Sequence, residues 1–185
     1  SAVSGLPNLT NLYFSNNNVN DITAISGLAN LAYLDFENNR VSNISALAGL
    51  SNLTYLYFPT NSVSDIDALA GLTSLTRLYF YNNSVSDISA LAGLTSLTYL
   101  QFNNNNVSDI SAVVDNAGLG SGDYLHIYGN PLSNKALLVD VPVLEARGFS
   151  TFDYGNMTAQ DLQLLVPNGG EVVEANTNYE ITWQE

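Results

Sequence analysis

Cysteine is absent from this 185-residue sequence, and it carries one histidine and only four basic residues. Without cysteine there is no disulfide framework, thiolate zinc site or cysteine nucleophile, and the lone His126 supplies no set of imidazole ligands. Four Lys and Arg stand against seventeen Asp and Glu, a net charge of −13. A surface for nucleic acid or an anionic membrane, which depends on Lys and Arg, is therefore not expected, and neutral or cationic partners remain. No run approaches the roughly 18 apolar residues of a membrane helix. Ser1 opens without Met, basic n-region or apolar h-region, so the chain reads as a soluble, already trimmed piece. What it does have is a 46% apolar content with only 11% charge, enough for one domain, or one plus a fragment, with a real core.

A Gly-Leu pair recurs at Gly5, Gly27, Gly49, Gly71 and Gly93, a spacing of 22, and a fixed period of this length is the signature of a solenoid. The fourth repeat reads GLTSLTRLYFYNNSVSDISALA and the fifth GLTSLTYLQFNNNNVSDISAVV. After three inserted residues the same offsets run from Gly118 to Leu125, Ile127 and Asn130. Each repeat contains the string LxxLxLxxN, as in Leu97, Leu100, Phe102 and Asn105, with a short alternating segment at its centre that suits a strand.

These motifs resemble the leucine-rich repeat, and the 22-residue spacing continued by Val107, Ile110 and Val113 looks like its short, internalin-like class. The resemblance covers about residues 1 to 154. It implies an α/β repeat solenoid: a curved right-handed coil, a parallel sheet on the concave face and 3-10 or irregular structure on the convex side. One coil cannot bury its own apolar face, so the leucine columns stack inward on those of neighbouring coils. Phe14, Phe36, Phe58, Phe80 and Phe102 form an aromatic spine within that core. Asn17, Asn39, Asn61, Asn83, Asn105 and Asn130 follow each strand, where an amide can bond backbone groups freed as the chain leaves the sheet. Asp21, Asn43, Asp65, Asp87 and Asp109 precede the Ile column and suit capping of a helical turn. That row, with Asp67, could also collect calcium, but it lacks a glycine-rich ligand loop, and neither metal nor cofactor is called for.

Three segments are expected: repeats over 1–132, a C-terminal cap over 133–160, and the opening strands of a following module over 161–185. Ser1 to Ser4 match the tail of a repeat, so the native protein is expected to continue upstream. Beyond Asn130-Pro131-Leu132 the period breaks, with helical spacing over 134–146 and a strand near 149–154, similar to the cap of bacterial leucine-rich repeat proteins. The run LQLLVPNGGEVVEANTNYEITWQE resembles the start of small β-sandwich modules of bacterial secreted and surface proteins.

Positions 6, 8 and 10 after each repeat glycine alternate with the buried leucines and point out of the concave face. These eighteen positions hold nine of the eleven tyrosines, where an even spread would place about one. Strand propensity alone would be met equally by Thr, Val or Ile, which these columns lack. Tyr offers large rigid area with a polar tip at low entropic cost, as binding surfaces require. The candidate ligand-binding residues are Tyr33, Tyr55, Tyr57, Arg77, Tyr79, Tyr81, Tyr99, Tyr124, His126 and Tyr128, with Pro59 in the densest part and Asp35 and Glu37 on one flank. Their rings are expected to support no core. The reading is an extracellular, bacterial recognition or adhesion module, acting as a monomer on a protein or peptide ligand. Glycan binding on the same face, or a spacer without a ligand, are the alternatives. An enzyme is not expected, because the repeat places no Ser or carboxylate to form a triad or dyad with His126.

Overall fold

The computed structural model describes Val3 and residues 5–155. The strands expected over 161–185, and the end of the cap at 156–160, lie outside the described residues. Seven strands form one parallel sheet in chain order: β1 Asn11–Tyr13, β2 Tyr33–Asp35, β3 Tyr55–Tyr57, β4 Arg77–Tyr79, β5 Tyr99–Gln101, β6 Tyr124–His126 and β7 Thr151–Asp153. Register follows the repeat, with Leu12, Leu34, Leu56, Leu78, Leu100 and Leu125 directly opposite one another. The three-residue insertion before β6 leaves that pairing unchanged, because it is absorbed outside the sheet.

On the opposite side each coil makes a single 3-10 turn, at Thr23–Ile25, Ser45–Leu47, Asp67–Leu69 and Ser89–Leu91, and the fifth coil makes the short helix α1, Ser111–Asp115. The Asp and Asn row starts these turns. Oδ1 of Asp21, Asn43, Asp65, Asp87 and Asp109 accepts the N–H two residues ahead at 2.8–2.9 Å. The bond falls one position earlier than in an ordinary cap, since the Ile between the two residues is the N-cap.

Between the two sides lies the core. The leucine columns are fully buried from the second coil on, and Phe36, Phe58, Phe80 and Phe102 are completely inaccessible. Their rings stack nearly parallel at 5.2–5.8 Å. Leu9, Leu12 and Phe14 are only half-buried, on the side where no described coil covers them. The asparagine ladder staples coil to coil. Asn83 Nδ2 donates to the carbonyls of Phe80 and Tyr81 in its own coil and Phe58 in the previous one, and its Oδ1 accepts Val63 N–H at 3.0 Å.

The helix expected over 134–146 is present in two parts: a wide π turn, Ala136–Asp140, runs straight into α2, Val141–Glu145. Pro142 explains the widening, because it has no N–H to donate and its ring would crowd the carbonyl four residues back. Asp140, 4% exposed, is neutralised by Lys135 Nζ at 2.7 and 2.8 Å. From the turn after α2, the Arg147 guanidinium donates to the carbonyls of Val113, Val114, Asn116 and Leu119, closing the loop that holds the insertion.

Candidate functional site

The alternation of strand side chains leaves one face of the sheet to the leucines and the other to the tyrosines. Along β1 to β6 the tyrosines form a continuous ladder. Tyr13 packs on Tyr33 at 4.6 Å, Tyr33 on Tyr55 at 4.1 Å, Tyr55 on Tyr79 at 5.5 Å, Tyr79 on Tyr99 at 4.9 Å and Tyr99 on Tyr124 at 5.1 Å. Strands about 4.8 Å apart put the in-register pairs Tyr33–Tyr55 and Tyr99–Tyr124 at stacking distance, while Tyr13–Tyr33, Tyr55–Tyr79 and Tyr79–Tyr99 meet diagonally between the first and second columns. Arg77 occupies the first-column place on β4, opposite Tyr55 and Tyr99, and the ladder steps round it through Tyr79 of the second column. Tyr57 packs edge-on against Tyr79 at 5.1 Å and shares a hydroxyl–hydroxyl hydrogen bond of 2.7 Å with Tyr81. His126 lies parallel to Tyr99 at 6.0 Å. Tyr128, half-buried beside Gly155, takes no part in these ring stacks.

The rings therefore bury one another. Tyr33, Tyr55, Tyr57, Tyr79, Tyr81 and Tyr99 are half-buried, while the ladder ends Tyr13 and Tyr124 are 57% and 41% exposed. Although they support no part of the leucine core, they are a second, smaller packed layer, so truncating a central ring removes intramolecular contacts as well as ligand-facing surface. Burial, then the bond to Tyr81 and the charges of Glu37 and Asp35, push the Tyr57 phenol far above its ordinary value. Burial and its tyrosine neighbours do the same to Tyr55, and burial, then Tyr99, raise the Tyr79 phenol against the opposing charge of Arg77. The face thus keeps neutral hydroxyls that both donate and accept.

Two positions differ from expectation. Pro59 and Asn103, in the third outward column, are buried, Asn103 to 2% exposure. That column lies just past the strand ends, where the chain turns back and larger neighbours close over it; Gln101 Nε2 bonds Asn103 Oδ1 at 2.8 Å. The charged groups on the face are Asp35 and Glu37 near β2, Arg77 on β4, and Asp153 on β7. Asp35 accepts from Ser15 Oγ and from Glu37 N–H. Asp153 had no periodic signal in the sequence, because the cap breaks the repeat; the sheet register sets it opposite His126, with Oδ2 3.9 Å from Nδ1, too far for a hydrogen bond. Among the described residues, no three His, Cys, Asp or Glu gather as a metal site.

A family profile described as Leucine Rich repeats (2 copies) matches residues 7–49, 29–71, 51–93 and 73–115, a continuous span over more than half of the chain. The chain belongs to the leucine-rich repeat family. Among solved structures, internalin C2 of Listeria monocytogenes is 39% identical, with a TM-score of 0.63 over 64% of this chain and 52% of its own. The internalin inlF of the same organism is 27% identical, with a TM-score of 0.73 over 87% of this chain and 46% of its own. This leucine-rich repeat chain thus spans about half the length of the internalins it matches. The plant peptide hormone receptor RGFR1, solved in complex with RGF2, shares the fold at 23% identity, with a TM-score of 0.62 over 71% of this chain and 22% of its own. No curated protein sequence matches significantly. Among the described residues, no helix of this repeat protein is long and apolar enough to cross a membrane.

Proposed function

We propose that this chain is a non-catalytic recognition module that binds a protein or peptide segment across its tyrosine face. The observation that carries the reading is the uninterrupted ladder from Tyr13 to Tyr124 on the sheet face opposite the core. A packed row of rings is stiff before any ligand arrives, so little side-chain entropy remains to be lost on binding. The ladder also favours a peptide over a sugar. Tyr33 and Tyr55 lie 9° from parallel and Tyr99 and Tyr124 16°, so their flat faces, which a sugar ring would need, are covered by one another. Ring edges and hydroxyls are left outward, and these suit the amides and side chains of a polypeptide. Peptide recognition by the same fold in RGFR1 supports this. We place the protein outside a bacterial cell, on its identity with the two internalins and on the likeness of its PNGGE run to modules of secreted proteins.

Panning a random 12-residue display library on the whole chain tests the reading. Selected peptides should bind Tyr79→Ala more weakly by about 1–3 kcal/mol and Tyr13→Ala nearly as well as the parent. Tyr79→Phe, which keeps the ring in the ladder, separates loss of packing from loss of the hydroxyl. Peptides indifferent to all three substitutions, or no selected peptides at all, would leave the spacer role in place of the binding one.

A further inference from the structure

The charges on the tyrosine face are few and unevenly placed, and their order across the sheet describes a ligand. Moving along the solenoid, β2 ends in the carboxylate of Asp35 with Glu37 two residues beyond, β4 carries the guanidinium of Arg77, and β7 carries Asp153. Arg77 is exposed, and among the described residues no carboxylate bonds it, whereas the other face-side charges are all acidic. Around them the surface is tyrosine and glutamine, with the one histidine, His126, beside Asp153. In a chain whose net charge is −13, one cation set between two acidic ends is the feature that a binding segment must complement. Desolvating any of these groups against an uncharged partner would leave a charge unpaired.

We infer that the face receives an extended peptide running across the strands, with a Lys or Arg at each end and an Asp or Glu over Arg77. This rests on the peptide-binding reading above and specifies its chemistry. Neighbouring strands lie about 4.8 Å apart, so β2 to β4 is about 10 Å and β4 to β7 about 14 Å. At about 3.3 Å per extended residue, the acidic side chain falls about three residues from the basic one at the β2 end. The other basic residue lies about four further on, toward β7. The β2 site is the stronger of the two, because two carboxylates flank the same strand end and the Tyr57 hydroxyl lies within their field. At the β7 end the single carboxylate, Asp153, has the His126 ring beside it, with Nδ1 3.9 Å from Oδ2.

The experiment reads charge preference rather than affinity alone. The 12-residue library is panned in parallel on the parent chain, on the Asp35→Asn, Glu37→Gln double variant, and on Arg77→Glu. The parent pool is expected to be enriched in Lys or Arg at two positions about seven apart with Asp or Glu between them. The double variant should lose the basic preference at one end and bind the parent's peptides roughly tenfold more weakly, a difference that salt abolishes. Arg77→Glu should reverse the central preference from acidic to basic, an outcome that simple unfolding cannot produce. Peptides that lose binding with Tyr79→Ala yet show no charge pattern, or keep it on the charge variants, overturn this inference and leave the tyrosine face standing as a site. A library yielding nothing overturns both.

Discussion

At the scale of single residues, two exposed rows show how strictly the coil geometry constrains side chains far from the core. Asn16, Asn38, Thr60, Asn82 and Asn104 all have φ between 50° and 59°. This left-handed region is tolerated by Asn and strained for a β-branched residue. Asn38 Nδ2 donates to Asn16 Oδ1, and Asn104 Nδ2 to Asn82 Oδ1, each at 2.9 Å; Thr60 is the break in this amide row. Thr60→Asn should relieve the strain and join the two halves, raising stability by about 0.5–1 kcal/mol in urea titrations. The capping row makes the second case. The backbone N–H of Ser89, then its hydroxyl, holds the Asp87 carboxyl below its ordinary value. The folded pKa is the lower one, so the stabilisation is present above the unfolded value of about 3.9 and disappears as pH falls through the folded one. Asn43 makes the same bond at the same 2.8 Å without a charge. Asp87→Asn should therefore preserve the turn while flattening the fall in melting temperature below pH 4, a small change because the group is almost fully solvated.

At the scale of elements, strands of three residues cannot be stable singly; they persist because each is clamped to its neighbours by the phenylalanine stack and the asparagine staples. Phe80 contacts Phe58 at 5.8 Å and Phe102 at 5.5 Å and is fully buried. Phe80→Ala opens a cavity between coils and is expected to cost about 3–5 kcal/mol, measured as a shift of the urea midpoint. The glycine that marks each repeat has a different weight. At Gly5, Gly27, Gly71 and Gly93 a Cβ would meet nothing within 4 Å, while Gly49 needs φ of +90° and a Cβ on Gly118 would strike the Thr95 carbonyl at 1.9 Å. The landmark that reveals the period is thus physically required at only some of its occurrences. Turn strands and tyrosine columns were legible because they repeat. Arg147, which ties down four carbonyls around the insertion, was not, since a single Arg in an aperiodic cap shows no partner until the chain has folded back on it.

For the whole molecule, stability in a stacked array is a sum of coils and nearest-neighbour interfaces. Excising residues 71–92, one full period of 22, joins Ala70 to Gly93 and brings β3 against β5 with every inward column preserved. The shortened chain should unfold in one cooperative transition with a urea m-value lower by about 10–20%, in proportion to the surface lost. Removing 82–92 instead breaks the period and should leave no cooperative transition by circular dichroism. By itself the sequence determined the period, the inward and outward columns, the asparagine ladder and the capping row, because each is a local pattern repeated until chance is excluded. The tertiary structure alone decided the rest. The ladder's step from Tyr55 to Tyr79 around Arg77, the burial of Pro59 and Asn103, and the placing of Asp153 opposite His126 all depend on which side chains meet across strands. Tyr55 meets Tyr79 and His126 meets Asp153 across more than one full period of sequence, and packing distance, not sequence pattern, selects among the possible partners.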